Sequence, residues 1–307
     1  MRRATPLLPA LAAVLLVAGC GSEHTGSAGT GSGGSGVPAG QTPVSDPGKD
    51  GVRVVALRIP SRTAPDYAVS AAPDVSATYE VTNDSTEART YTILFHFTDS
   101  SGGAISQTRE TVRDVAPGKT VRRSVDMGPT LSGASSVTQA KVSEVTSVAA
   151  DEAPADPDAC PSSGIRVLAD RGDAAMGLRT VGLWLENCGT RVYKIEGYPE
   201  LTILDEDHER VDGVKILRGG EEIATGVEAE GPPRPLALKP GERARSVILW
   251  RNTTEFGTPV NAPYVRVVAK PGAAPVTVTP HLDLGTTGRL GVGPWKAVDE
   301  QSVPQVE

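Results

Sequence analysis

Aromatic side chains are scarce in this sequence, at 4% of 307 residues, and there are only three cysteines and four histidines. Positive charge is also short: 30 Lys and Arg stand against 37 Asp and Glu, a formal net charge of −7. Without a basic excess there is nothing to neutralise a phosphate backbone, which argues against nucleic-acid binding. Three cysteines are too few for a disulfide-stapled miniprotein or a Cys-rich metal cluster. The longest apolar run, Leu7 to Ala18 with Pro9 inside it, is shorter than the about 20 residues needed to span a bilayer core. Local signatures of catalysis are missing too. There is no Gly-x-Ser-x-Gly elbow, no Ser-x-x-Lys and no His-x-x-x-His pair at metal-hydrolase spacing. No cofactor and no metal are expected. What is abundant is Gly (34) and Pro (25), together more than a compact helical protein tolerates. At roughly 150 residues per domain, the length suggests two modest domains.

The N-terminus reads as an address. Arg2 and Arg3 precede the short apolar run, which ends Val17-Ala18-Gly19-Cys20. A charged start, a short apolar core and small residues before a cut describe an export signal. The ending resembles the lipobox of bacterial lipoproteins, so residues 1–19 are expected to be a signal peptide and Cys20 the lipidated residue. Ala18 and Gly19 would let the peptidase approach, and the Cys20 thiolate would take up diacylglycerol. Two or more acyl chains hold a protein firmly at a membrane. The expected location is therefore the outer face of the plasma membrane, in the cell envelope. Residues 20–51 are rich in Gly and Ser and read as a flexible tether. The Gly29-x-Gly31-x-x-Gly34 pattern within them has no strand before it and no helix after it, so it is not a dinucleotide site.

Beyond the tether the pattern is all-β. Val75, Ala77, Tyr79 and Val81 fall on one face of a strand, and Tyr91, Ile93, Phe95 and Phe97 on one face of another. Asn83-Asp84-Ser85, Asp99 to Gly103 and Pro117-Gly118 supply turns. Six strands are expected over residues 52–148, a β-sandwich. The YEVTND, YTILFHFTDSSG and VAPGKTV segments resemble immunoglobulin-like modules of bacterial lipoproteins. An acidic, Pro-containing hinge follows at 149–159, then a second β-sandwich over 160–283, with Pro240-Gly241 repeating the earlier turn. Residues 211–235 lack a pattern and read as an irregular excursion over one sheet. Residues 284–307 read as an extended tail.

The second region carries a family resemblance. Cys160, the ENCGT turn at 186–190, the Gly197-Tyr198-Pro199 corner and LKPGERARSVILW at 238–250 together resemble domain-of-unknown-function 4232. That resemblance implies an extracytoplasmic β-sandwich, as in secreted proteins and lipoproteins of actinobacteria, and no assigned activity. It also implies a second cysteine pair with one member just before Tyr264, where this chain has Asn261-Ala262. With Cys20 committed to lipid, Cys160 and Cys188 remain as a disulfide pair in an oxidising compartment. The rival readings are a structural zinc site, which has no companion ligands nearby, and two free thiols.

Few residues remain as candidates for a site. Asp205-Glu206-Asp207-His208-Glu209 reads as a solvated hairpin turn; as a calcium loop it lacks the glycine and the distal bidentate Glu. Trp184 and Trp250 are the candidate ligand or partner contacts. The preferred alternative is that the excursion at 211–235 covers both as a second small core. The expected function is a noncatalytic, membrane-anchored lipoprotein whose two modules bind a cell-envelope protein or ligand of unknown identity. The rival is a cell-envelope enzyme assembled only in three dimensions, marked by Asp205 or Asp207 meeting His281 in a pocket.

Overall fold

Period-two alternation builds the whole of what is seen. The computed structural model describes residues 41–59, 75–128, 137–227 and 229–298, and no helix occurs among them. Cys20 and His24, the signal peptide and most of the tether lie outside the described residues.

The first module contains β1 (Thr42–Pro43), β2 (Val52–Arg58), β3 (Ser76–Thr82), β4 (Arg89–Thr98), β5 (Ala104–Val115), β6 (Thr120–Asp126) and β7 (Gln139–Ala149). They pair antiparallel as two sheets, β1-β2-β3-β6 and β5-β4-β7. Val54, Ala77, Tyr79, Val81 and Val125 of one sheet meet Ile93, Phe95, Phe97 and Val112 of the other in a single buried core. The Tyr79 and Phe95 rings lie 4.7 Å apart at its centre. Alternation puts these residues inward because successive side chains on a strand point to opposite faces.

The second module runs through β8 (Ile165–Ala169), β9 (Asp173–Ala175), β10 (Leu178–Asn187), β11 (Tyr193–Ile195), β12 (Glu200–Leu204), β13 (Lys215–Arg218) and β14 (Leu236–Leu238). It continues with β15 (Arg243–Arg251), β16 (Val260–Ala262), β17 (Tyr264–Val268), β18 (Pro275–Val278), β19 (Leu282–Gly285), β20 (Arg289–Val292) and β21 (Lys296–Val298). Its main sheet is β13-β20-β15-β10-β8, with β21 on β15 and β9 on β10. The inner face, with Val181, Leu183, Leu185, Ile248 and Trp250, packs on Ile203, Val265, Val267 and Val278 of the β12-β17-β18 sheet.

One device recurs in both modules. Asn83, wholly buried, donates from its amide to the Glu87 and Val115 carbonyls. Its own carbonyl accepts the Gly118 N–H. Asn187, also buried, donates to the Arg191 and Leu238 carbonyls, and its carbonyl accepts the Gly241 N–H. Each asparagine ties the end of one strand to the Pro-Gly turn that starts the paired strand, satisfying backbone groups that would otherwise be orphaned.

Several expectations need correction. Residues 41–51 are not tether. β1 pairs with β2, Val44 packs on the first core, and the Asp46 carboxylate accepts the Gly48 and Val54 N–H groups. Averaged Gly/Ser content had hidden these partners. Residues 284–298 are not an extended tail but contain β20 and β21, with Leu290, Val292 and Trp295 buried. Their alternation is short, and Gly293-Pro294 masks it. The excursion at 211–235 holds β13, which pairs parallel with β20, and its later part covers the outer face of β15. There Ala229, with Ile223 and Val227, buries Val247 and Leu249. A second small core exists, but it does not enclose the tryptophans. The 149–159 hinge is fastened on both sides, as described below.

Trp295 is 1% exposed, and its indole N–H donates to the Ala269 carbonyl at 2.9 Å. Replacing a buried Trp by Ala costs about 3–5 kcal/mol. Trp295→Ala should lower the stability of the second module by that amount, read as a reduced urea midpoint with an unchanged slope.

Candidate functional site: the cleft between the modules

The connector between the sandwiches has partners along its length. The Glu152 carboxylate accepts two bonds from the Arg266 guanidinium, at 2.8 and 2.9 Å, and one from the Thr277 hydroxyl at 2.8 Å. Its carbonyl accepts the Thr277 N–H. Further on, Arg113 of β5 donates to the Asp156 carboxylate and the Pro154 carbonyl, and Arg166 of β8 to the Asp156 carbonyl. The connector ends at Cys160, disulfide-bonded to Cys188 with 5.6 Å between the Cα atoms. Fixed dipeptide geometry at Pro154 and Pro157 stiffens what lies between. A hinge was expected; the segment is a splint.

Direct contacts reinforce it. The Ser147 N–H of β7 donates to the Tyr264 hydroxyl of β17. Arg89 of β4 bonds His208 Nε2 at 2.7 Å, and the His208 ring stacks on Tyr264 with centroids 4.3 Å apart. A guanidinium has only donors, so His208 Nε2 accepts and the ring proton sits on Nδ1. His281 Nε2 and a Glu144 carboxylate oxygen are 2.9 Å apart.

Charge states follow from this packing. Burial alone would raise the Glu152 pKa, but the Arg266 and Thr277 bonds and the Arg266 charge outweigh it and hold the carboxyl below its usual range. His208 is lowered from 6.5 by burial and then by the Arg89 charge, against smaller opposing effects of Glu87, Asp205 and Asp207. Burial likewise raises Tyr264.

Between the modules these contacts frame a cleft of about 200 Å³. Its floor is the outer face of the β5-β4-β7 sheet, with Thr90, Thr92, Thr111 and Thr146, and its walls include the connector at Pro154–Pro157 and residues 277–280. Sequence reasoning missed this site. The threonines sit on the polar side of alternating strands, and alternation does not say what lies opposite.

The residues singled out from the sequence are placed elsewhere. Cys160 and Cys188 form the disulfide. Trp184 and Trp250 lie on opposite faces of the main sheet and are 8% and 2% exposed, so neither offers a free aromatic face. Trp250 belongs to the core and donates to Asp283. Trp184 donates to Asp170 at 3.0 Å and lies beneath the Arg245 guanidinium. Neither lines the cleft. Asp205 accepts the Asp207 and Glu209 N–H groups, a closed turn, and His281 meets Glu144 instead of an aspartate from that turn. No group of three or more metal-ligating side chains occurs among the described residues.

Comparison with known proteins adds one finding. Residues 160–296 match the family described as Domain of unknown function (DUF4232), so the matched domain spans β8 to the start of β21. No curated protein matches the chain.

The two lowered pKa values set a pH dependence. A group whose folded pKa is depressed contributes stability above its unfolded pKa and loses it as pH falls through the folded value. Thermal midpoints should therefore fall in two stages, the first as pH drops below the ordinary histidine value of 6.5 from His208, the second as it drops below the ordinary glutamate value of 4.5 from Glu152. His208→Gln, whose amide oxygen still accepts from Arg89, should abolish the first stage and leave the second; differential scanning fluorimetry from pH 7.5 to 3.5 reads both.

Proposed function

We propose that the protein is a noncatalytic, lipid-anchored lipoprotein of the cell envelope, held at the outer face of the plasma membrane and binding a ligand or partner with its two fixed modules. The observation that carries the reading is the cleft held rigid between them. The two carboxylates that line it are already engaged, Asp156 by Arg113 and Asp170 by Trp184 and Arg245, while His208, His281, Glu144 and Glu152 join the modules and are not part of its lining. Rigid walls favour binding because little order is lost when a ligand enters.

Support for the location comes from chemistry at both ends. A disulfide persists in oxidising compartments, and Cys160–Cys188 is such a bond. Val17-Ala18-Gly19-Cys20 supplies the lipidation sequence. We read the first module as immunoglobulin-like, a reading supported by its antiparallel sheets of four and three strands.

Cells fed an alkyne analogue of palmitate should label the wild-type chain and leave Cys20→Ala unlabelled. The variant should also leave the salt-washed membrane fraction. Equal labelling of both chains, or wild-type chain in the cytosol with its leader uncut, would overturn the proposal.

A further inference from the structure

The cleft floor has a regular chemical feature. Thr92 of β4 lies directly across from Thr111 of β5 on one side and from Thr146 of β7 on the other. Adjacent strands are about 4.8 Å apart, and directly opposed residues share a face, so the three hydroxyls form a row at that spacing. The row runs inward: Thr111 is exposed, Thr92 half-buried and Thr146 buried. Thr90, also buried, stands behind it, across from Val148.

Several other threonines of the module are paired, although the buried hydroxyl of Thr98 is not. Thr78 donates to Gln41, Thr82 bonds Thr120, and Thr108 donates to the Met127 carbonyl. Thr90, Thr92, Thr111 and Thr146 have no side-chain hydrogen bond to any other described residue, yet all four line the cleft. A hydroxyl both donates and accepts. The row therefore offers a guest several points along one edge at which to give and take hydrogen bonds.

The walls narrow the class. The lining holds two arginines, Arg109 and Arg113, and two aspartates, Asp156 and Asp170, so it carries no formal net charge to select an anion. Pro154, Pro157, Pro280 and Val148 give it apolar surface as well. At about 200 Å³ the space is below the roughly 300–1,000 Å³ of pockets for drug-sized ligands. A space of that size suits a single ring with hydroxyls along its edge and C–H groups on its face.

We propose that the cleft binds one neutral sugar ring, such as the terminal residue of a glycan, through Thr90, Thr92, Thr111 and Thr146. This names the ligand class for the binding function proposed above and rests on that reading.

Full-length mature protein in detergent micelles is titrated with methyl glucoside, methyl galactoside, methyl mannoside and N-acetylglucosamine, with inorganic phosphate alongside, by saturation-transfer NMR and calorimetry. At least one sugar should bind. Thr92→Val and Thr146→Val keep the side-chain shape and should each weaken it by about three- to tenfold, the range expected for one lost neutral hydrogen bond. Thr92→Ser should restore binding, and an unchanged thermal midpoint shows that the variants are folded. No signal from any of the four sugars overturns the proposal, as does sugar binding indifferent to both valine variants. Phosphate binding that depends on Thr92 would overturn the sugar while leaving a binding protein. Failed palmitate labelling alongside intact sugar binding would instead sink the anchor and spare the ligand.

Discussion

One carboxylate decides whether this molecule is two beads or one body. Glu152 sits in the connector, where composition alone predicts free swivelling, and its carboxylate accepts three bonds from the second module. Charge-assisted, bidentate bonds are about twice as strong as neutral ones and demand a fixed geometry. Because the acceptor belongs to the connector and the donors to β17 and β18, rotation of the modules would break three bonds at once. Other cross-contacts, among them Ser147 to Tyr264, Arg89 to His208 and Glu144 to His281, gain from that prior alignment. An apolar joint would hold the modules together without fixing their angle; directional bonds fix it.

The strands were readable wherever one face is greasy and the other wet. Val75 to Val81 and Tyr91 to Phe97 alternate without interruption, and both faces go where alternation sends them. Reading failed where the deciding partner is remote. Asn83 looks like any turn residue, because asparagine favours turns for local reasons. Its burial depends on Val115, more than thirty positions away. Trp295 reads as part of a tail because its neighbours are glycine and proline, although its indole bonds Ala269, just past the end of β17. The hinge failed for the same reason: Glu152 and Asp156 are solvated acids in any local window and bonded acids once β5, β8, β17 and β18 surround them.

The candidate site was illegible for a further reason. A threonine in a strand is expected on physical grounds, since β-branched side chains suit the pleated surface. Nothing local distinguishes Thr82, which bonds Thr120, from Thr92, which bonds no described side chain. The difference is created by the second module roofing one part of the sheet and leaving another to solvent. For the tryptophans the preferred expectation is a cover supplied by residues 211–235; both are covered, but Asp170 and Arg245 cover Trp184, while Asp283 and the core claim Trp250.

The disulfide belongs to the same argument as the cleft. In the first module the residue after the buried asparagine is Asp84; in the second it is Cys188. That one change turns a shared corner into an anchorage, because Cys188 reaches Cys160 at the end of the connector. Glu152 pins the segment near its start, Asp156 pins it in the middle, and the sulfur bridge pins its end. The cleft wall at Pro154–Pro157 thus lies between fixed points, with proline removing further backbone freedom. A wall held in this way keeps its distance from the threonine row whether or not a guest is present, so binding requires no closure, and selectivity must come from the spacing of the hydroxyls.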